Sequence, residues 1–187
     1  MDEGPQDRSF NLFRARLRRA AKRHDTRFVL RSLHPRVVSS FGGDVGVKDF
    51  QRFWNIDRPD SRLWRTLATI LSLGGSFRTY DGHRQFCAPY VYSRWPDEWD
   101  AFQYAAILGR NINVRTRPSL ASPVVTRLSY DLVRIPRGIR GVWVPVITPS
   151  GRRGYVYSRF IRSPIDYRAC FEKLRGKWLM TALVAGD

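Results

Sequence analysis

Between Asn111 and Ile161 the chain strings together β-branched and aromatic runs that are too short, and too regularly broken by Pro, Ser and Gly, for most architectures to hold. Val124, Val125 and Leu128 lead into Leu132, Val133 and Ile135. Trp143, Val144, Val146 and Ile147 form a second apolar run, Ser150-Gly151 supplies a turn, and Tyr155-Val156-Tyr157 makes a third run. This amounts to about five short strands in roughly fifty residues. Such a sheet left open has two bare edges, so closure into a small barrel is expected. Alternation along the strands predicts Val114, Val125 and Val156 inward, with Tyr157 and Arg117 outward and near one groove.

The same residues resemble the bacterial SH3-like (SH3b) domain. Its opening is matched by Asn113, Val114, Arg115, Pro118, Ser119, Pro123 and Val124. Its close is matched by Trp143, Val146, Gly151, Gly154, Tyr155, Val156, Ser158, Phe160 and Ile161. Arg117 stands where a small residue often precedes the Pro, and Tyr155 where Trp is commoner. The resemblance implies a binding module without chemistry of its own, which binds peptide or peptidoglycan in the periplasm or cell envelope. Candidate ligand-binding residues are Arg115, Arg117, Trp143, Tyr155, Tyr157 and Arg159, because aromatic faces beside guanidinium groups suit sugar-peptide polymers or single-stranded nucleic acid. Half of those aromatics are expected to fill the barrel core, which cannot spare Trp143 and Tyr155 together.

Helices and strands surround this stretch. Residues 1–8 are polar and expected to fray. From Ser9 as N-cap, Phe10, Phe13, Leu17, Ala20, Ala21 and His24 recur at helical spacing, with Arg16, Arg19, Lys22 and Arg23 opposite. Phe28, Leu30 and Leu33 fit a further helical turn before Pro35. Arg36 to Phe41 reads as a strand, Gly42-Gly43-Asp44 as a tight turn without the Lys-Ser/Thr of a phosphate loop, and Val47 to Trp54 as a helix. Asp60 or Ser61 caps a helix carrying Leu63, Trp64, Leu67, Ile70 and Leu71, which Gly74-Gly75 ends. Asp81-Gly82 predicts a hairpin between Phe77 to Tyr80 and Arg84 to Cys87. Ala88 to Tyr92 and Phe102 to Leu108 read as strands.

Ile165 to Lys173 and Lys177 to Ala185 alternate about Leu174-Arg175-Gly176 as a long hairpin with a buried side. A lone hairpin is barely stable in water, so this one is expected to return to the N-terminal region. The expected fold is therefore α+β. N-terminal helices pack on an antiparallel sheet completed by the C-terminal hairpin, with a small all-β barrel inserted: body 1–109, barrel 110–162, hairpin 163–187. The outline outside the barrel, with its Gly176-Lys177-Trp178 strand, resembles the cystatin-like cone of the nuclear transport factor 2-like superfamily, which implies a pocket for a small molecule or an enzymatic site. Ser40 to Asp44, Ala88 to Tyr92, Ser163 to Arg168 and Val184 to Asp187 resemble runs in proteobacterial SH3-domain-containing proteins, a likeness that implies no activity of its own.

The formal net charge is +17, most of it from Arg, which favours an anionic partner: nucleic acid, an acidic polymer or an anionic membrane face. An Arg-biased composition explains it equally, since the charge is spread along the chain. Binding of a polyanion or nucleic acid through the Arg-rich surface is thus the alternative function. No apolar run reaches the length of a membrane span, and the start lacks the pattern of a secretory signal, so a cytoplasmic location stays open beside the envelope.

Two cysteines exclude a disulfide-dense scaffold and a four-Cys zinc site, and whether Cys87 and Cys170 pair is open. Cys170 has neither a peptidase motif nor a following His, and is expected as a half-exposed structural thiol. His24, His34 and His83 do not stand at metal-ligand spacing. Asp44, Asp49, Asp57 and Asp60 read as ion-pair and capping residues. No catalytic residue, metal site or cofactor is expected, and the chain reads as non-enzymatic.

Overall fold

The computed structural model describes residues 2–186. Along the chain run α1 (Arg8–Arg23), α2 (Thr26–Arg31), β1 (Leu33–Val38), α3 (Val47–Trp54), α4 (Arg62–Ser72), β2 (Ser76–Tyr80), β3 (His83–Ala88) and α5 (Tyr90–Ser93). Then come β4 (Tyr104–Ile107), β5 (Ile112–Arg115), β6 (Val124–Leu128), β7 (Leu132–Arg134), β8 (Trp143–Ile147), β9 (Arg153–Tyr157) and β10 (Ile161–Arg162). A final pair, β11 (Arg168–Leu174) and β12 (Lys177–Val184), closes the chain. The fold is mixed α+β with two sheets and two compact units: Met1–Arg94 together with Asp166–Asp187, and Trp95–Ile165.

The first unit has a five-stranded sheet in the order β1-β12-β11-β3-β2. The C-terminal hairpin supplies its middle: β11 pairs antiparallel with β3, and β12 pairs with β1. The β1–β12 pair is parallel, so the wholly antiparallel sheet expected from sequence is corrected at that edge. Pro35, which cannot donate to a ladder, is tolerated in such an edge strand. Alternation in the sheet and helical spacing in α1, α3 and α4 aim Phe10, Leu17, Phe50, Trp54, Leu63, Leu67, Phe86, Phe171 and Met180 into one buried cluster. Phe10 lies 4.2 Å from Phe86 and 4.9 Å from Trp178 between ring centroids.

Four local expectations need correction here. Residues 2–7 are held rather than frayed: the Asp2 carboxylate pairs with Arg14 at 2.6 Å and accepts from the Gly75 N–H, while Glu3 accepts from the Phe77 N–H at 2.8 Å. Asp7, not Ser9, caps α1, accepting from the Phe10 N–H at 2.9 Å. The strand expected from Ala88 to Tyr92 stops at Ala88, because Pro89 cannot continue the ladder, and α5 follows. Cys87 and Cys170 are directly opposed across β3 and β11, are both buried, and form a disulfide, so Cys170 is not the half-exposed thiol expected.

The second unit is a seven-stranded sheet in the order β10-β4-β7-β8-β9-β5-β6. It is not closed into a barrel. Closure would need its two edge strands, β10 and β6, to pair, and among the described residues β10 pairs with β4 and β6 with β5 alone. Against the expected limits of 110 and 162, the unit runs from Trp95 to Ile165, since β4 is hydrogen-bonded to β7 and β10. Its buried cluster is aliphatic: Ala105, Ile107, Val114, Leu128, Val133, Ile135, Val144, Val146, Val156 and Ile161. Val114 and Val156 are buried as expected, but Val125 is only half-buried. The register shifts from Val114↔Thr126 to Arg115↔Val124, which leaves Val125 as the unpaired residue of a bulge. No helix among the described residues is long and apolar enough to cross a membrane.

Candidate binding face of the second unit

Strands β8 and β9 pair so that Val144 opposes Val156, Trp143 opposes Tyr157, and Pro145 opposes Tyr155. Directly opposed residues share a face, and neighbours along a strand alternate. The valines are buried, so Trp143, Pro145, Tyr155 and Tyr157 all stand on the opposite face, each half-buried. Both Trp143 and Tyr155 are therefore spared from the core, contrary to expectation. Strands β4 and β10 explain this: they bring Ala105, Ile107 and Ile161 to the inner face, and aliphatic side chains fill it. The edge of Trp143 meets Tyr157 at 5.3 Å and 84°, and Tyr157 in turn lies 6.4 Å from Phe160. The Arg159 guanidinium sits 4.5 Å from the Phe160 centroid and 5.4 Å from that of Tyr157.

At the next rung, Arg115 of β5 opposes Tyr155. Its Nη1 donates to the Ser122 carbonyl at 2.6 Å, so Arg115 also braces the loop between β5 and β6. Ser122 completes that loop by donating through Oγ to the Arg117 carbonyl at 2.9 Å. Arg117 itself is exposed. Extending the β5–β9 register places it toward Arg153, not beside Tyr157, about four residues or ~13 Å along the strand. The six candidates thus form an aromatic end (Trp143, Tyr157, Arg159), a middle (Arg115, Tyr155) and a cationic end (Arg117). Sequence reasoning missed Pro145 and Phe160 as members of this face, whereas Arg153 is one of the basic residues that the sequence interleaves with the aromatics. The alternation of β8 was the signal for Pro145, which follows Trp143 by two.

The unit carries eleven arginines and no lysine against four carboxylates, Asp97, Glu98, Asp100 and Asp131. Among the described residues, Arg117, Arg153 and Arg159 have no ion-pair partner. The Asp100 carboxyl is held below its ordinary value by the Phe102 N–H and then by Gln103. It is thereby committed to its own turn.

Other residues tested for chemistry serve the fold of the first unit. His24 ends α1 in a left-handed conformation and stacks on Trp64 at 4.9 Å and 8°. The His34 Nδ1 accepts from the Arg36 N–H at 3.1 Å. Asp44 accepts from Ser40, Asp49 pairs with Arg52 at 2.8 Å, and Asp60 pairs with Arg58 at 3.0 Å. A cavity of about 320 Å³ is lined by Asp7, His83, Arg84, Glu172, Lys173 and Trp178. Three of its residues meet at Ser9, which donates to Asp7 and accepts from Lys173 and the Trp178 Nε1, and Arg84 pairs with Asp7. No group of three or more His, Cys, Asp or Glu among the described residues could hold a metal ion.

No family model matches the chain, and no curated protein does. Two solved structures align along nearly its full length. One is a five-substitution variant named Rd1NTF2_05, 12% identical, with a TM-score of 0.32, covering 94% of this chain and 95% of that one. The other is described as a calcium/calmodulin dependent protein kinase II association domain from Xanthomonas campestris, 13% identical, with a TM-score of 0.30, covering 98% of this chain and 91% of that one. At this overlap the likeness carries no argument about fold or activity.

Proposed function

We propose that the second unit is a non-catalytic, SH3-like binding module whose aromatic–arginine face holds peptidoglycan or its peptide stems in the cell envelope. The observation that carries this reading is the placement of Trp143, Tyr155 and Tyr157 together on the outer face of β8 and β9. Three half-buried rings on one side of a sheet are flat apolar surface of the kind on which sugar faces lie. Arg115, Arg117 and Arg159 stand beside them, and guanidinium forks suit the carboxylates of a peptide stem. Trp, Tyr and Arg are also the side chains on which binding energy concentrates. The buried Cys87–Cys170 disulfide suits an oxidising compartment such as the envelope.

The test is retention of the full chain on purified sacculi across a salt series. Trp143→Ala and Tyr157→Ala should each weaken binding by about tenfold or more, as for central aromatic anchors. Arg117→Gln should have a smaller effect that fades as salt rises. Equal retention of native and Trp143→Ala chains would sink the reading.

The excess of arginine over carboxylate in this unit favours a second reading, binding of a polyanion or nucleic acid on the same face. That reading requires log K to fall steeply and linearly with log salt on any anionic polymer, whereas ring stacking on sugar survives salt.

A further inference from the structure

In α1 the residues Arg8, Arg16, Arg18, Arg19, Lys22 and Arg23 are all exposed. At 3.6 residues per turn they fall within an arc of roughly 160°. Only Asn11, Leu12 and Ala15 share that arc, and Leu12 is 55% exposed. The helix carries no carboxylate. Its one remaining cation, Arg14, points inward and is paired with Asp2. Among the described residues none of the six outward cations has an ion-pair partner. Arg18 and Lys22, and Arg19 and Arg23, stand four apart, where like charges destabilise a helix. Among the described residues no ion pair offsets this.

We infer that this face of α1 docks the protein on an anionic lipid surface, with the helix lying along the headgroups. A sixteen-residue helix spans roughly 24 Å, enough to meet several headgroups at once. The helix stays folded into its own unit, because Phe10, Leu17, Ala20 and Ala21 on its other side are locked in the core. Leu12 is therefore the apolar group left to enter the headgroup–acyl boundary, while the long cationic stems beside it keep their heads in water. Two observations favour lipid over nucleic acid. An exposed leucine amid the cations has a role at a lipid boundary and none along a phosphodiester backbone. The buried disulfide suits a compartment where membrane surface is abundant and nucleic acid is not. This inference uses none of the residues of the sugar-binding face.

The experiment is co-sedimentation of the full chain with vesicles of phosphatidylcholine alone and with about one third phosphatidylglycerol, at ionic strength near 0.1 M. Binding is expected on the anionic vesicles only. Arg16→Gln, Arg19→Gln and Arg23→Gln combined should weaken it by roughly a hundredfold, since each cation contributes about fivefold. The matching Lys substitutions should retain it. Leu12→Ser should weaken it several-fold with an unchanged salt slope, and Trp143→Ala should leave it intact. Circular dichroism melts check that each variant is folded. The proposal is overturned if neutral and anionic vesicles bind alike or if the triple Gln variant binds like the native chain. It is also overturned if the native chain ignores anionic vesicles yet binds a single-stranded oligonucleotide through the same three arginines.

Discussion

Gly154 admits no side chain. A methyl group there would lie 2.6 Å from Val114 Cγ1 and 2.8 Å from the Arg115 carbonyl oxygen, and the second of these is backbone held in a ladder. Gly154→Ala should therefore cost the second unit about 1–3 kcal/mol, the usual cost of overpacking, read as lost amide-exchange protection in β5 and β9. Gly151, three residues earlier, adopts a left-handed φ of 77° in the turn and has open space around it. Both glycines were legible in the sequence as a spaced pair, though for different physical reasons. The directions of Trp143 and Tyr155 were not. Period-two alternation says which residues share a face, but not which face is inner. That depended on the aliphatic side chains of β4 and β10, flanking strands outside or at the limit of the recognisable stretch.

The segment before α1 is tied down by carboxylates, which makes its docking sensitive to acid. Burial pushes the Asp2 carboxyl up, but Arg14 and the Gly4 and Gly75 N–H groups together hold it below its ordinary value of 3.8. The Phe77 N–H, then Arg94, holds Glu3 below 4.5 despite some burial. Asp7 is lowered by the Ser9 hydroxyl and the Phe10 N–H. A carboxylate with a depressed folded-state pKa stabilises the fold above its unfolded value and loses that contribution as pH falls through the folded one. The segment should thus stay docked at neutral pH and release in acid, with the Phe77 amide NMR shift titrating at a midpoint below 4.5. Glu3→Gln should remove that titration; persistence of the same midpoint in the variant would place its origin elsewhere. The elements behind this segment were largely readable: α3 and the Ser61 cap of α4 stand where hydrophobic spacing and capping chemistry put them. The true cap of α1 was not. Ser9 has the chemistry of a cap, but its hydroxyl is occupied by Lys173 and Trp178, which arrive from the far end of the chain.

The Cys87–Cys170 bond joins β3 and β11, the strands on either side of the second unit in sequence, and closes a loop with a separation of 83 residues. Replacing both cysteines by alanine should lower the stability of the first unit by about 2–4 kcal/mol and leave the second unchanged. Denaturant titration of native and variant chains, followed separately by amide exchange in β11 and in β8, checks this. Equal losses in both units would show that they do not unfold independently. That the hairpin must find another sheet was legible from its two apolar faces. Its parallel neighbour β1 was not, because strand direction leaves no mark in a single run such as Leu33–Val38. The position of β11 and β12 also sets an order of events during synthesis. A chain leaving the ribosome exposes its N-terminal helices first, yet the two strands at the centre of their sheet emerge last. Every strand of the second unit emerges before them. The strands of the later-born unit are therefore available to pair while Phe10, Leu17 and Leu67 still wait for the hairpin that covers them, which reverses the usual N-to-C order.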